Sequence, residues 1–217
     1  MLFLQSFDKI DIMINYPHKK NNKTVLPDQQ KNNKKDVDFS RRGMSFEAQI
    51  VKTNEYYLAS GVAVIHKKPT PIQIVKVDYP KRAAATITEA YFKTPSTTDF
   101  NGIYKGIYID FEAKETTNKT TFPLANIHRH QVKHLNAVTK QQGFAFLLVK
   151  FVKFDEIYLL MSDTLQQFWQ EYEKGIRKSI KREEFMAQGR SIPSNTYPSV
   201  DYLKMIDQLL IEGGNLK

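Results

Sequence analysis

Residues 97–116 read TTDFNGIYKGIYIDFEAKET, and the way this stretch pairs with itself decides the fold. Side chains alternate faces along a strand. Ile107, Ile109, Phe111 and Ala113 therefore share one face, and Tyr108, Asp110, Glu112 and Lys114 share the other. The first set reads as core. With Lys105-Gly106 as a two-residue turn, Tyr104 pairs with Ile107, and the same register sets Asp99 opposite Glu112. Opposed residues hold their Cβ atoms roughly 4.5–5.5 Å apart. Two facing carboxylates repel unless a divalent cation lies between them. Asn101-Gly102 is a rival turn. It would place Asp99 opposite Tyr104 and separate the two acids.

Paired carboxylates make a hard oxygen site of the kind Mg²⁺ prefers, with Mn²⁺ as a substitute. Lys114 lies on the same strand face, two residues beyond Glu112. A lysine there can orient or deprotonate an attacking water and offset negative charge developing at phosphorus. The same letters also fit a solvated strand face with an incidental Glu–Lys pair. Two residues outside the hairpin are candidates for the same site. Glu47 lies one turn into an expected helix, where the helix dipole alone would favour an acid. Gln131 falls on a helical row with Leu124, Ile127, Leu135 and Val138. A glutamine there needs a partner, either a site water or metal or another core group. His130 and His134 have a spacing that zinc can use, but no obvious third ligand is near them in sequence.

The chain has 217 residues, enough for one domain with a full core. Lys plus Arg number 32 against 23 Asp plus Glu, a formal charge of +9. Residues 18–42 hold eight Lys/Arg against three Asp. We read residues 1–42 as a flexible basic arm, with Arg41 and Arg42 at its end as DNA contacts, ahead of a main domain over 43–217. There is no cysteine, which excludes disulfides, thiolate zinc sites and a cysteine nucleophile and fits a reducing cytoplasm. MLFLQSFDKIDI has no basic region and no cleavage pattern, so it is not read as a signal peptide. No run approaches the ~18 apolar residues of a membrane helix, so a membrane partner is not expected.

The pattern predicts a helix from an N-cap at Ser45 to a stop at Gly61, then a short strand in VAVIHKK. PTPIQIVKVDYPKR carries Pro69, Pro71 and Pro80 and suits neither a central strand nor a helix. AAATITEAYFK fits either element. LANIHRHQVKHLNAVTKQQG reads as a helix ending near Gly143, and FAFLLVKF and EIYLLMS as strands. TLQQFWQEYEKGIRKSIKREEF reads as one helix, apolar at Leu165, Phe168, Trp169, Tyr172 and Ile176, and SVDYLKMIDQLLI as a short terminal helix. The order implies an α/β fold with a mixed central sheet flanked by helices.

The run from Gly43 to Leu124, together with HQVKHL and PSVDYLKMID, closely resembles the RecU family of Holliday-junction resolvases. The likeness spans roughly residues 13–210. It implies a core like that of the type II restriction endonucleases, a homodimer, and Mg²⁺-dependent resolution of branched DNA. By position, the family's metal-site residues fall on Thr97, Asp99, Glu112 and Gln131, and its transition-state lysine on Lys114. Glu47 matches an acidic position of the first helix. Thr98-Asp99 stands where the wider nuclease superfamily has Pro-Asp, and Ala48 where the family usually has a second acid. MINYP at Met13 resembles the family's usual start, so residues 1–12 read as either an extension or a misassigned start. The family's protruding stalk falls on residues 66–92, where Lys67, Lys68, Lys76, Lys81 and Arg82 are expected DNA contacts. The resemblance also implies association with the RecA recombinase and with branch-migration machinery.

Overall fold

The computed structural model describes residues 44–80, 85–93, 97–194 and 197–212. Helix α1 (Phe46–Ala59) starts at Ser45, whose Oγ accepts the Ala48 N–H at 3.3 Å, and the chain turns away at Gly61 with φ +65°. One stripe of α1 is buried, through Phe46, Ile50, Thr53 and Tyr57. The strands β1 (Val64–Lys67), β4 (Phe100–Tyr104), β5 (Ile107–Thr116), β7 (Phe144–Phe151), β8 (Glu156–Met161) and β10 (Arg190–Ile192) form one six-stranded sheet in that order. β5 and β7 are parallel, and the remaining neighbours are antiparallel. The mixed sheet expected from the element order is therefore present.

The sheet's two faces are packed by different elements. On one, Phe100, Phe111 and Phe146 stack across three strands with centroids 4.9 and 4.8 Å apart. α1 and α5 (Tyr202–Glu212) complete that core. On the other, Ala145, Leu147 and Val149 of β7 pack with residues of α2 (Arg129–Lys140), α3 (Ser162–Glu173) and α4 (Arg182–Gln188). β5 is an interior strand of this sheet, so both of its faces are buried midway along. Its parallel register sets Asp110 beside Ala145 and Glu112 beside Leu147, in the second core.

The β4–β5 turn is Lys105-Gly106, with φ +50° and +79°, the geometry of a tight hairpin turn. Tyr104 pairs with Ile107 and Phe100 with Phe111. The rival turn at Asn101-Gly102 does not form. Gly102 lies inside β4 against β1, where a Cβ would come within 2.1 Å of the Val64 carbonyl oxygen. Glycine is needed there for close backbone approach, not for turning.

PTPIQIVKVDYPKR supplies neither a central strand nor a helix, as expected; the strand it carries, β2 (Ile72–Asp78), pairs with β3 (Thr86–Phe92) in a separate two-stranded ribbon. Pro71 and Pro80 flank β2 without interrupting it, and a ribbon strand has only one edge to pair. Val77 is the ribbon's one half-buried side chain, and the others of β2 and β3 are exposed. The single helix expected over 164–185 is corrected, because it is broken. α3 ends at Glu173, Gly175 takes φ +74°, and Ile176 is 70% exposed, off the apolar stripe. A short strand β9 (Ser179–Lys181) then pairs with β6 (Thr121–Pro123) before α4 begins. Arg177 fixes the break, held by Glu171 at 2.6 Å and by both carboxylate oxygens of Glu184 at 3.0 Å.

Candidate active site

The hairpin register carries Asp99 to Glu112. The Asp99 backbone N–H donates to Glu112 Oε2 at 3.2 Å. Glu112 is fully buried, since β5 is covered on both faces. Burial pushes its carboxyl up to about 8, aided by Asp99 and opposed by the Lys114 ammonium. Lys114 Nζ lies 2.6 Å from Glu112 Oε1 as an ion pair, yet that oxygen has no partner in hydrogen-bond geometry. The Lys114 ammonium offsets the charge on that oxygen, and a bound divalent cation could share the buried carboxylate with it. The donor set, the Glu112 carboxylate on β5 and the Asp99 carboxylate just before β4, is hard oxygen and fits Mg²⁺. Among the described residues no group of three or more His, Cys, Asp or Glu gathers as a metal cluster. Mg²⁺ does not need one, because it keeps several waters and takes one or two carboxylates plus phosphate oxygens.

Lys114 also faces a cleft of about 450 Å³, lined with Ser45, Phe46, Glu47, Ala113, Glu115 and Asn126. α1 reaches this cleft because the Phe46 N–H donates to Glu115 Oε2 at 3.2 Å. Glu47 thus shares a cavity with Lys114, but its carboxylate is taken by Lys67 at 2.6 Å in an exposed pair. Thr97 is half-buried and donates to the Thr98 carbonyl at 3.4 Å. Gln131 is buried, and its Oε1 accepts the His128 N–H at 2.9 Å, closing the first turn of α2. Leu124 and Ile127 precede α2, so the expected row is reduced to Gln131, Leu135 and Val138, and the glutamine has a backbone partner.

The histidine pair does not converge. His134 Nε2 lies 3.1 Å from Asp110, while the His130 ring stacks on His128 with centroids 5.4 Å apart. Burial, then His128 and Lys114, hold the His130 pKa below its ordinary value. Of the expected DNA contacts, Lys76 is exposed on the ribbon, and Lys67 is exposed but paired with Glu47. Lys68 turns inward, donating to Asp110 at 2.8 Å and to Thr98 Oγ1 at 3.0 Å. Arg41, Arg42, Lys81 and Arg82, and the arm over 1–42, lie outside the described residues. No helix among the described residues is long and apolar enough to cross a membrane.

The family model described as Recombination protein U, RecU, matches residues 41–208. The chain belongs to the RecU family. It is 52% identical over 202 residues to the Holliday junction resolvase RecU of Staphylococcus carnosus, covering 92% of this chain and 97% of that one. With the RecU of Staphylococcus saprophyticus it is 50% identical over the same shares of the two chains. With that of Staphylococcus aureus strain COL it is 53% identical over 81% of this chain and 85% of the relative. A weaker likeness is to the solved Holliday junction resolvase Hjc of Archaeoglobus fulgidus, with TM-score 0.38 and 11% identity over 66% of this chain and 91% of that one.

One residue that the sequence reading placed on the site face without a role is Asp110. It is fully buried and meets Thr98, Lys68, Tyr108 and His134. Its signal was present in the alternation along β5, which puts it on the face of Glu112.

Proposed function

We propose that this RecU-family chain is a Mg²⁺-dependent endonuclease that resolves Holliday junctions by paired, symmetric nicks. The observation that carries this is the Asp99–Glu112–Lys114 group, in which a buried carboxylate oxygen without a hydrogen bond faces a lysine at 2.6 Å. Asp99 and Glu112 would hold the metal, with Thr97 and Gln131 completing its shell directly or through water. When bound, Mg²⁺ would supply charge neutralisation at the scissile phosphate and make a water easier to deprotonate. Lys114 orients the attacking water and offsets the charge gathering on the phosphoryl oxygens. In-line attack on phosphorus breaks the bond to the 3′-oxygen and leaves 5′-phosphate and 3′-hydroxyl ends. Glu47 closes the cleft beside Lys114.

A homodimer supplies one such site per strand, so that two nicks of like polarity resolve the junction. The exposed ribbon with Lys76, and with Lys81 and Arg82, engages the branch point, while Lys67, Arg41 and Arg42 add phosphate contacts. The deciding experiment is cleavage of a synthetic four-way junction and of linear duplex, with and without Mg²⁺, by wild type and Asp99→Asn. Metal-dependent paired nicks in the junction alone, lost in Asp99→Asn, are expected. Equal cutting of duplex would make the chain a general nuclease, and no cutting would make it a binding module.

A further inference from the structure

The buried carboxylate of Asp110 is not needed to place a charge in the proposed site, and its surroundings show what it does. Asp110 sits on β5 two residues before Glu112 and on the same face, with no exposed surface. Its Oδ1 accepts the Thr98 hydroxyl. Its Oδ2 accepts from Lys68 Nζ at 2.8 Å and from the Tyr108 hydroxyl at 2.9 Å, and lies 3.1 Å from His134 Nε2. Both oxygens are committed to these partners, so Asp110 is not a metal ligand in this arrangement.

The partners come from separate parts of the chain. Lys68 follows β1, Thr98 precedes β4, Tyr108 belongs to β5, and His134 lies on α2 one turn beyond Gln131. Lys68 links them further. Its Nζ donates to Thr98 Oγ1 at 3.0 Å, and its backbone N–H donates to the Asp99 carbonyl at 2.7 Å. Asp99 is thereby gripped at both backbone polar groups, its N–H by Glu112 and its carbonyl by Lys68.

We infer that Asp110 is a positioning residue for the metal site, holding Lys68, Thr98 and α2 to β5 so that the Asp99 carboxylate stays set against Glu112. The inference rests on the proposed metal-dependent nuclease reading. Groups that orient metal ligands from behind typically change metal affinity or activity by about 10–100-fold when removed. Lys68 acts inside this network and does not contact phosphate.

The test uses purified full-length wild type, Asp110→Asn, Thr98→Val and Thr98→Ser. Thr98→Val keeps the side chain's shape and removes the hydroxyl that Asp110 accepts, and Thr98→Ser restores it. Mn²⁺ affinity is read on DNA-free protein by electron paramagnetic resonance, together with melting temperature, metal-free junction binding and single-turnover cleavage. Asp110→Asn and Thr98→Val should each lose about 10–100-fold in Mn²⁺ affinity. Metal-free junction binding should be unchanged, and Thr98→Ser should match wild type. If Asp110→Asn does not fold, the Thr98 pair still decides. Wild-type Mn²⁺ affinity in folded Thr98→Val, or an equal loss in Thr98→Ser, overturns the inference while leaving the nuclease reading intact. Failure of the wild type itself to bind Mn²⁺ or to cleave overturns the nuclease reading, and the inference with it.

Discussion

The backbone N–H of Asp99 reaches Glu112 Oε2 at 3.2 Å across the β4–β5 pair, while Lys114 Nζ lies 2.6 Å from the other oxygen of Glu112. One buried carboxylate therefore ties the entry of β4 to the lysine two residues along its own strand.

Asp99→Asn and Glu112→Gln should abolish junction cleavage and leave junction binding equal or stronger. Without metal, the Asp99 carboxylate repels the DNA backbone and the buried Glu112 carboxyl is held largely protonated at neutral pH, so neither substitution weakens phosphate contact. Cleavage assays and gel-shift titrations in chelator check this. Near wild-type cleavage by either purified variant would refute the ligand assignment.

The raised pKa of Glu112 makes the metal-free fold sensitive to pH. The unfolded carboxyl ionises near 4.5 and the folded one near 8, so the folded chain holds the extra proton between them. Stability contributed by this group is full below the lower value and falls as pH rises through the higher one. Glu112→Gln removes that dependence. In chelator, its melting temperature relative to wild type should climb from about pH 5 to about pH 8.5, with each ~1 kcal/mol moving it by about 2–4 °C. A difference independent of pH would show that Glu112 is ionised in the fold. Metal affinity should run the other way and strengthen over the same window, because the ligand is the carboxylate.

Lys114→Ala should lose about 10²–10³ in cleavage rate, the usual effect of a group that stabilises developing oxyanion charge. Its ammonium also holds the Glu112 carboxyl down from a still higher value. Removing it should weaken Mg²⁺ binding at neutral pH and spare it at alkaline pH. Titration calorimetry at both pH values separates the effects. Metal binding lost at every pH would make Lys114 a structural support of the ligand.

Lys68 and Lys76 should differ in their response to salt. Each phosphate contact removed lowers the slope of log affinity against log salt by about one. Lys68 is turned inward, so Lys68→Met should leave that slope unchanged. Lys76→Ala, with Lys81→Ala and Arg82→Ala, should flatten it and reduce junction binding more than duplex binding. The melting temperature of the triple variant should barely move, since β2 and β3 bury so little. A flattened slope in Lys68→Met would put its ammonium on DNA, and a large drop in melting temperature for the ribbon variant would make the ribbon part of the core.

The pairing of Asp99 with Glu112 was legible in the sequence. It depends on local quantities: a turn that needs positive φ at Lys105-Gly106, and side-chain alternation with a period of two. The helix starting at Ser45 and the strands 144–151 and 156–161 were legible for the same reason. Composition misled where a glycine and one arginine broke an amphipathic run at Gly175 and Arg177. Only the tertiary structure decided that β5 is an interior strand with a parallel neighbour, and that fact buries Glu112 and raises its pKa. It also decided that Lys68 and His134, 42 and 24 residues from Asp110 along the chain, close on that carboxylate. Alternation says which face a side chain takes. What covers that face is set by sheet order and helix packing, which bring together residues with no local relation in the sequence.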